Sequence, residues 1–277
     1  MMKKKIGNIA SGMILFVGIL LIAFPMYLTI VTAFKTGKET AQNFFTLPQT
    51  LYLDNFKEVI QSNEFFVYVG NSILITVCSL VLILIIVPLV SYAIARNMKK
   101  LYYKGIYLMF SLGIFVPFQV IMLPVVKQMT KLSLLNKYGL IILYATYALA
   151  QGVFLYVGYI KNNMPMELEE AAYIDGASKI KTYILVVFPM LKPMTATIII
   201  TNALWVWNDF LLPLLMLNKS SKYWTLPLFQ YNFQSTYAVE YNLAFASFVL
   251  TIIPILIIYL IFQKYILAGM TNGAVKG

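Results

Sequence analysis

Charged residues are spaced so widely along this chain that long apolar windows separate them. Ile6–Phe34, Phe65–Ala95, Gly105–Val126, Tyr138–Ile160 and Tyr241–Gln263 contain no Asp, Glu, Lys or Arg. A bilayer-crossing helix needs about 20 mostly apolar residues, because each residue rises about 1.5 Å across a hydrocarbon core of about 30 Å. Each window meets that length, and the first two exceed it, so part of each belongs to the interface or beyond. A sixth apolar run, Thr182–Leu217, holds Lys192 near its start and Asp209 near its end. The pattern predicts an all-α, polytopic membrane protein of six helices with both termini on one side. Pro88, Pro117, Pro124, Pro213 and Pro254 are expected inside these helices as kinks, where packing repays the lost hydrogen bonds.

Composition agrees. The 277 residues are 61% hydrophobic and 11% charged, with a mean hydropathy of +0.80. Soluble domains carry about 25% charged residues. A water-soluble globule and a disordered chain are excluded. With no His and one Cys, Cys78, so are disulfide frameworks, His/Cys metal sites and His-based triads. Lys3–Lys5 before the first window suggest a signal peptide, but the apolar stretch is too long and no small-residue cleavage site follows. An uncleaved first helix is expected.

Basic residues stay preferentially in the cytoplasm. With the N-terminus inside, Lys3–Lys5, Arg96, Lys99, Lys100, Lys104, Lys161, Lys179, Lys181, Lys192, Lys264 and Lys276 fall on the cytoplasmic side, the larger share of the 21 basic residues. Lys127, Lys131 and Lys137 oppose that bias. The net charge of +11 then reflects loop retention and attraction to anionic lipid rather than nucleic-acid binding. Outside lie Lys35–Glu64, with a short amphipathic helix expected at Leu53–Ile60, and Asn218–Tyr241, whose Trp224, Tyr231 and Tyr237 suit interfacial anchoring.

The inner loop from Lys161 to Met190 differs from the rest. Glu167, Glu169, Glu170 and Asp175 crowd into it. Pro165 suits the first turn of a helix, and the carboxylates that follow meet the positive end of its dipole. Leu168, Ala171 and Ala172 fall at i, i+3 and i+4, a narrow face of small residues. Gly176 permits a sharp reversal that a β-carbon would resist. These features predict a short surface helix, a turn and a second short helix leading back to the membrane. Such a hairpin either docks into a protein groove or is a passive connector. The acids disfavour a helix lying flat on an anionic leaflet.

At this point the sequence resembles the permease subunits of binding-protein-dependent ABC importers. Glu170-Ala171-Ala172, then Gly176, then Val186-Val187-Phe188-Pro189 follow that family's loop signature, with Val for Ile and Phe for Leu in the last element. Ala203–Leu217, Val116–Val126 and Gly269–Gly277 are similar to carbohydrate importers of the maltose-permease type, and the resemblance covers nearly the whole chain. It implies a single transmembrane permease domain over 1–277, with a coupling loop at 161–182 and a C-terminal tail at 269–277. In the coupling loop Glu170 would make the polar contact with a cytoplasmic ATPase, Ala171 and Ala172 would allow close approach, Gly176 would make the turn, and Asp175 is a further ATPase-coupling residue. Asn272, Gly273 and Lys276 become candidate ATPase contacts in the tail. The implied partners are a second, different permease in a heterodimer, a dimeric cytoplasmic ATPase, an extracytoplasmic solute-binding protein, a sugar and membrane lipid, with no nucleic acid. The implied location is the bacterial cell membrane, with both termini cytoplasmic.

No Gly-x-x-x-x-Gly-Lys-Ser/Thr phosphate loop occurs in the sequence, so no cofactor is expected in this chain; ATP and Mg belong to the partner ATPase. Asp209, beside Asn208, is the one acid within a predicted span. It either lines a water-filled path or lies at the outer end, which its distance from Lys192 favours. Trp205 and Trp207 cannot share a helical face, so at most one meets a sugar; Trp205, Asn208 and Asp209 are the candidate path residues. The resemblance places the bound sugar chiefly on the other permease. A self-sufficient secondary transporter or channel is the alternative, but neither inverted repeats nor intramembrane ion-binding carboxylates are visible. A membrane-embedded enzyme would need clustered acids or metal ligands at the interface, and the spacing of Glu167–Asp175 matches no metal motif.

Overall fold

The structure, a computed structural model, describes residues 2–62, 64–233 and 240–274, with side chains described for 11–261 apart from 63, 232 and 234–239. The described residues are helical, with no strands among them. In chain order the helices are α1 (Met2–Ala33), α2 (Gly37–Gln42), α3 (Asp54–Gln61), α4 (Phe65–Arg96), α5 (Leu101–Gly113), α6 (Phe118–Lys131) and α7 (Lys137–Asn163). They continue with α8 (Glu167–Ile174), α9 (Lys179–Thr182), a π-helical turn (Tyr183–Val187), α10 (Phe188–Met190), α11 (Lys192–Asn208), α12 (Leu211–Met216), α13 (Leu226–Gln230) and α14 (Tyr241–Ala274). Among the described residues, four helices are long and apolar enough to cross a membrane, and the count reaches six if each of two bent pairs is one span.

Those pairs are broken where the apolar runs predict continuous helices with proline kinks. α5 and α6 meet at 108°. Pro117 is the N-cap of α6, with extended backbone at φ −63° and ψ 134°, and so stands outside any helix rather than kinking one. A residue before proline is pushed out of the α region, so Val116-Pro117 ends one helix and starts another. The second pair, Lys179–Met190 and Lys192–Asn208, bends by 73°. Pro189 has no N–H and its ring collides with the carbonyl four residues back. The backbone widens into a π turn just before it, and the Phe188 N–H reaches Tyr183 O instead. Pro88, Pro124 and Pro254 do lie inside helices, as does Pro25, and Pro213 sits in the first turn of α12.

The residues group into two compact units. The first comprises 1–66 and 228–254. Ile14, Leu21 and Ile22 of α1 stand exposed, as expected of a helix that meets lipid or another subunit. The last carbonyls of α1 lack intrahelical donors, and two amides supply them. Asn55 Nδ2 donates to Ala33 O (2.9 Å) and Lys35 O (2.8 Å), while Asn242 Nδ2 donates to Thr32 O (3.0 Å) and Lys35 O (2.8 Å). The Lys35 side chain is fully buried, and its ammonium donates to Asn43 O (3.0 Å), Phe44 O (3.4 Å) and Thr46 Oγ1 (3.3 Å). The six-residue α2 begins with a capping box: Thr36 Oγ1 accepts from Glu39 N–H, and Glu39 Oε2 accepts from Thr36 N–H.

The second unit comprises 67–227 and 255–277. Its core gathers Ile83, Val87 and Ile94 of α4, Val153, Tyr156 and Ile160 of α7, and Leu191 and Ile198 beside and in α11. α7 lies so close to α4 that a β-carbon on Gly152 would stand 2.5 Å from Val87 Cγ1. A second cluster joins Ile75, Leu140, Tyr144, Val206 and Leu212. Asn71 ties the loop after α12 to this core, with Nδ2 donating to Lys222 O (3.0 Å) and Trp224 O (2.9 Å), and it accepts from Lys137 Nζ (2.9 Å). Tyr237 lies outside the described residues.

Candidate functional site

The hairpin after α7 is held from beneath. α7 ends where Met164 turns extended, and Pro165 precedes Met166, the N-cap of α8. The helix starts two residues later than Pro165 suggested, with Glu167, Glu169 and Glu170 in its first turn. Successive residues point about 100° apart on a helix, which separates the acids. Glu170 is exposed, whereas Glu169 is buried, at 3% exposure. Arg96, in the last turn of α4, donates from Nε to Glu169 Oε1 at 2.8 Å, with Nη2 2.6 Å from the same oxygen. Arg96 Nη2 also donates to Met164 O at 3.1 Å, a terminal carbonyl of α7. Tyr92 OH donates to Glu169 Oε2 at 2.6 Å. Both oxygens of Glu169 are therefore engaged, and the guanidinium joins α4, α7 and α8 through one planar fork.

The tip of the hairpin closes by a two-bond helix stop. Gly176, at φ +79°, donates to Tyr173 O (3.0 Å), and Ala177 N–H donates to Ala172 O (2.9 Å), a Schellman pair built around a left-handed residue. Asp175 is the C-cap of α8. Ser178 then caps α9 by accepting from Lys181 N–H at 3.3 Å. The sequence-predicted residues all meet here: Glu170, Ala171, Asp175 and Gly176 are exposed and Ala172 is half-buried. Beyond the small face, Ile174 is 86% and Ile180 72% exposed. Among the described residues, nothing else covers this face.

What the sequence reading missed is the clamp of Tyr92, Arg96 and Glu169. A signal existed: the chain's single arginine ends an apolar window on the same predicted side as the acid-rich loop. Beside the clamp, a cleft of about 890 Å³ opens between α4 and the hairpin, lined by Leu89, Tyr92, Arg96, Tyr173, Ile180 and Ile184 among others.

Trp205 and Asp209 line a different cleft, of about 540 Å³, while Asn208 does not. Asn208 is exposed and its amide donates to Leu204 O at 2.8 Å. Asp209 ends α11 and serves the chain itself: Oδ2 accepts from Tyr144 OH (2.9 Å), and Oδ1 accepts from Leu211 N–H (3.0 Å) at the start of α12. Helix α14 carries Asn272 and Gly273; their side chains, and Lys276 altogether, lie outside the described residues.

Fold and site together define an all-helical, multi-pass membrane protein with a clamped helical hairpin between two of its apolar segments. The chain belongs to the family of binding-protein-dependent transport system inner membrane components, whose pattern matches residues 87–272. It is 51% identical to the multiple sugar-binding transport system permease protein MsmG of Streptococcus mutans, over 99% of both chains. It is 36% identical to the probable starch degradation products transport system permease protein AmyC of Thermoanaerobacterium thermosulfurigenes, over 97% of this chain and 98% of that one. The fold is similar to that in the crystal structure of a bacterial ABC transporter involved in the import of the acidic polysaccharide alginate. There the TM-score is 0.72 at 16% identity, over 95% of both chains.

Proposed function

We propose that this chain is the permease subunit of an ATP-driven sugar importer, and that its hairpin is where a cytoplasmic ATPase takes hold. The observation that carries the reading is a hairpin fixed to the ends of α4 and α7 by Arg96, yet bare on its Ala171 and Ile174 side. A connector needs no such clamp, and an exposed small-residue face suits close approach by a partner. Family membership and the sugar-transport names of relatives at 51% and 36% identity support the cargo class.

In this reading both termini are cytoplasmic, six spans form half of a translocation path, and a second, different permease forms the other half. ATP and Mg are held by the ATPase pair, a solute-binding protein delivers sugar from outside, and Asn272, Gly273 and Lys276 reach toward the ATPase. Nucleotide favours one of two arrangements of the permease pair by binding it more tightly, which is all a ligand can do to such an equilibrium. Trp205 and Asp209 border the path, with Asp209 shaping it through its bonds to Tyr144 and Leu211.

Copurification is the direct test. Glu170→Ala combined with Gly176→Val is expected to abolish recovery of the ATPase with the affinity-tagged permease while the second permease is still recovered. Retention of the ATPase by the double variant overturns the reading.

A further inference from the structure

The 540 Å³ cleft falls within the roughly 300–1,000 Å³ of small-molecule sites and is walled by five helices, α5, α6, α7, α11 and α12. Gln119 comes from α6, Gln151 and Tyr147 from α7, Asn202 and Trp205 from α11, and Leu212 from α12. Gln151 stands midway along α7, a helix of 27 residues, and is exposed. An amide facing lipid at that depth would cost several kcal/mol, so its surroundings in the membrane must be polar. Gln119 is exposed too, and neither glutamine amide has a hydrogen-bond partner among the described residues. Asn202, by contrast, donates to Ile198 O.

Trp205 is 38% exposed, and its ring is braced edge-on by Tyr144 at 5.3 Å and Tyr147 at 6.5 Å. An indole fixed in this way offers an apolar plane beside two amides that both donate and accept. Among the lining residues there is no Lys or Arg, and the one carboxylate, Asp209, has both oxygens engaged within the chain. The lining thus lacks a counter-charge for an acidic ligand.

We infer that this cleft is a contact site for a neutral, hydroxyl-rich sugar ring, stacked on Trp205 and hydrogen-bonded by Gln119 and Gln151. The inference rests on the sugar-importer reading and goes beyond it. It puts a sugar contact on this subunit, where the resemblance placed the sugar chiefly on the other permease, and it makes the cleft a filter for neutral over acidic cargo.

The test uses the whole complex in proteoliposomes, with its binding protein. Uptake of melibiose, raffinose and stachyose is measured beside uptake of alginate oligosaccharides and beside ATP hydrolysis. Wild type is expected to move one or more of the neutral sugars and not the acidic ones. Gln151→Leu, by losing one well-made polar contact, and Trp205→Ala, by losing the stacking plane, are each expected to lower neutral-sugar uptake about tenfold. Complex yield should hold in both variants, and Trp205→Phe should keep most of the uptake. Unchanged uptake in both variants overturns the inference and leaves the importer reading standing. A joint fall of uptake and complex yield overturns it in favour of a subunit interface. A wild-type complex that moves the acidic oligosaccharides and none of the neutral sugars overturns the inference and leaves the importer reading standing.

Discussion

Arg96 is the only arginine among 277 residues, and it stands where a lysine could not serve. Its donors reach one carboxylate oxygen and one backbone carbonyl in a single plane, a geometry that a round ammonium on a flexible stem does not reproduce. Removing one member of a buried ion pair leaves the other uncompensated, at a cost of about 3–5 kcal/mol. Arg96→Met and Glu169→Met should each lower the thermal midpoint of the detergent-solubilised protein, and the double variant should lie above the worse of the two. Strictly additive losses would remove the clamp from the account. The acid cluster was legible in the sequence, but not which acid faces inward, because adjacent residues differ only by their rotation about a helix whose start was misjudged by two residues. Asp209 was legible as an outlier too. What the residues could not reveal was that Tyr144, far away in sequence, would take up one of its oxygens.

At the scale of the element, charge-free windows located α1, α4 and α7 to within a few residues, while α14 runs to Ala274, past its window's end at Gln263. They could not locate the breaks, because a count of charges says nothing about backbone direction. The first break occurs at Pro117, which disrupts the third window fully rather than bending it, and the second at Leu191, between Pro189 and Pro193. The turn at Gly176 was readable because only a residue without a β-carbon enters left-handed backbone freely. A β-carbon there meets nothing within 4 Å, so Gly176→Ala should be penalised by conformation alone, about 1–2 kcal/mol. Hydrogen exchange at the Gly176 and Ala177 amides should quicken in that variant; unchanged exchange would mean the two-bond stop contributes little. In the other unit, α2 is too short to stand without its cap. N–H groups of Thr36 and Gln49 hold the Glu39 carboxyl below its ordinary value of 4.5. A lowered folded value means that this stabilisation is complete above the unfolded one and is lost as pH falls through the folded one. Amides of residues 36–43 should therefore lose protection on acidification below about pH 4.5, and Glu39→Gln should abolish that pH dependence.

At the scale of the whole molecule, the proposed orientation rests on the excess of Lys and Arg on one set of loops, and labelling tests it directly. Cys78 is the single cysteine and is exposed, so Cys78→Ala supplies a background for Ile174→Cys. A membrane-impermeant maleimide should label that cysteine in inverted vesicles and not in intact cells, and added ATPase should shield it. Labelling from the outside of intact cells would invert the topology.

Lys35 carries a different lesson. Its ammonium is spent on Asn43, Phe44 and Thr46, while two asparagines grip its carbonyl, so the stretch after α1 is knotted from within. Leu47 and Leu51 project from that knot into the open. Ornament and fastening are thereby separate: the projecting side chains can be exchanged wholesale, retuning whatever they greet, while the knot keeps its shape.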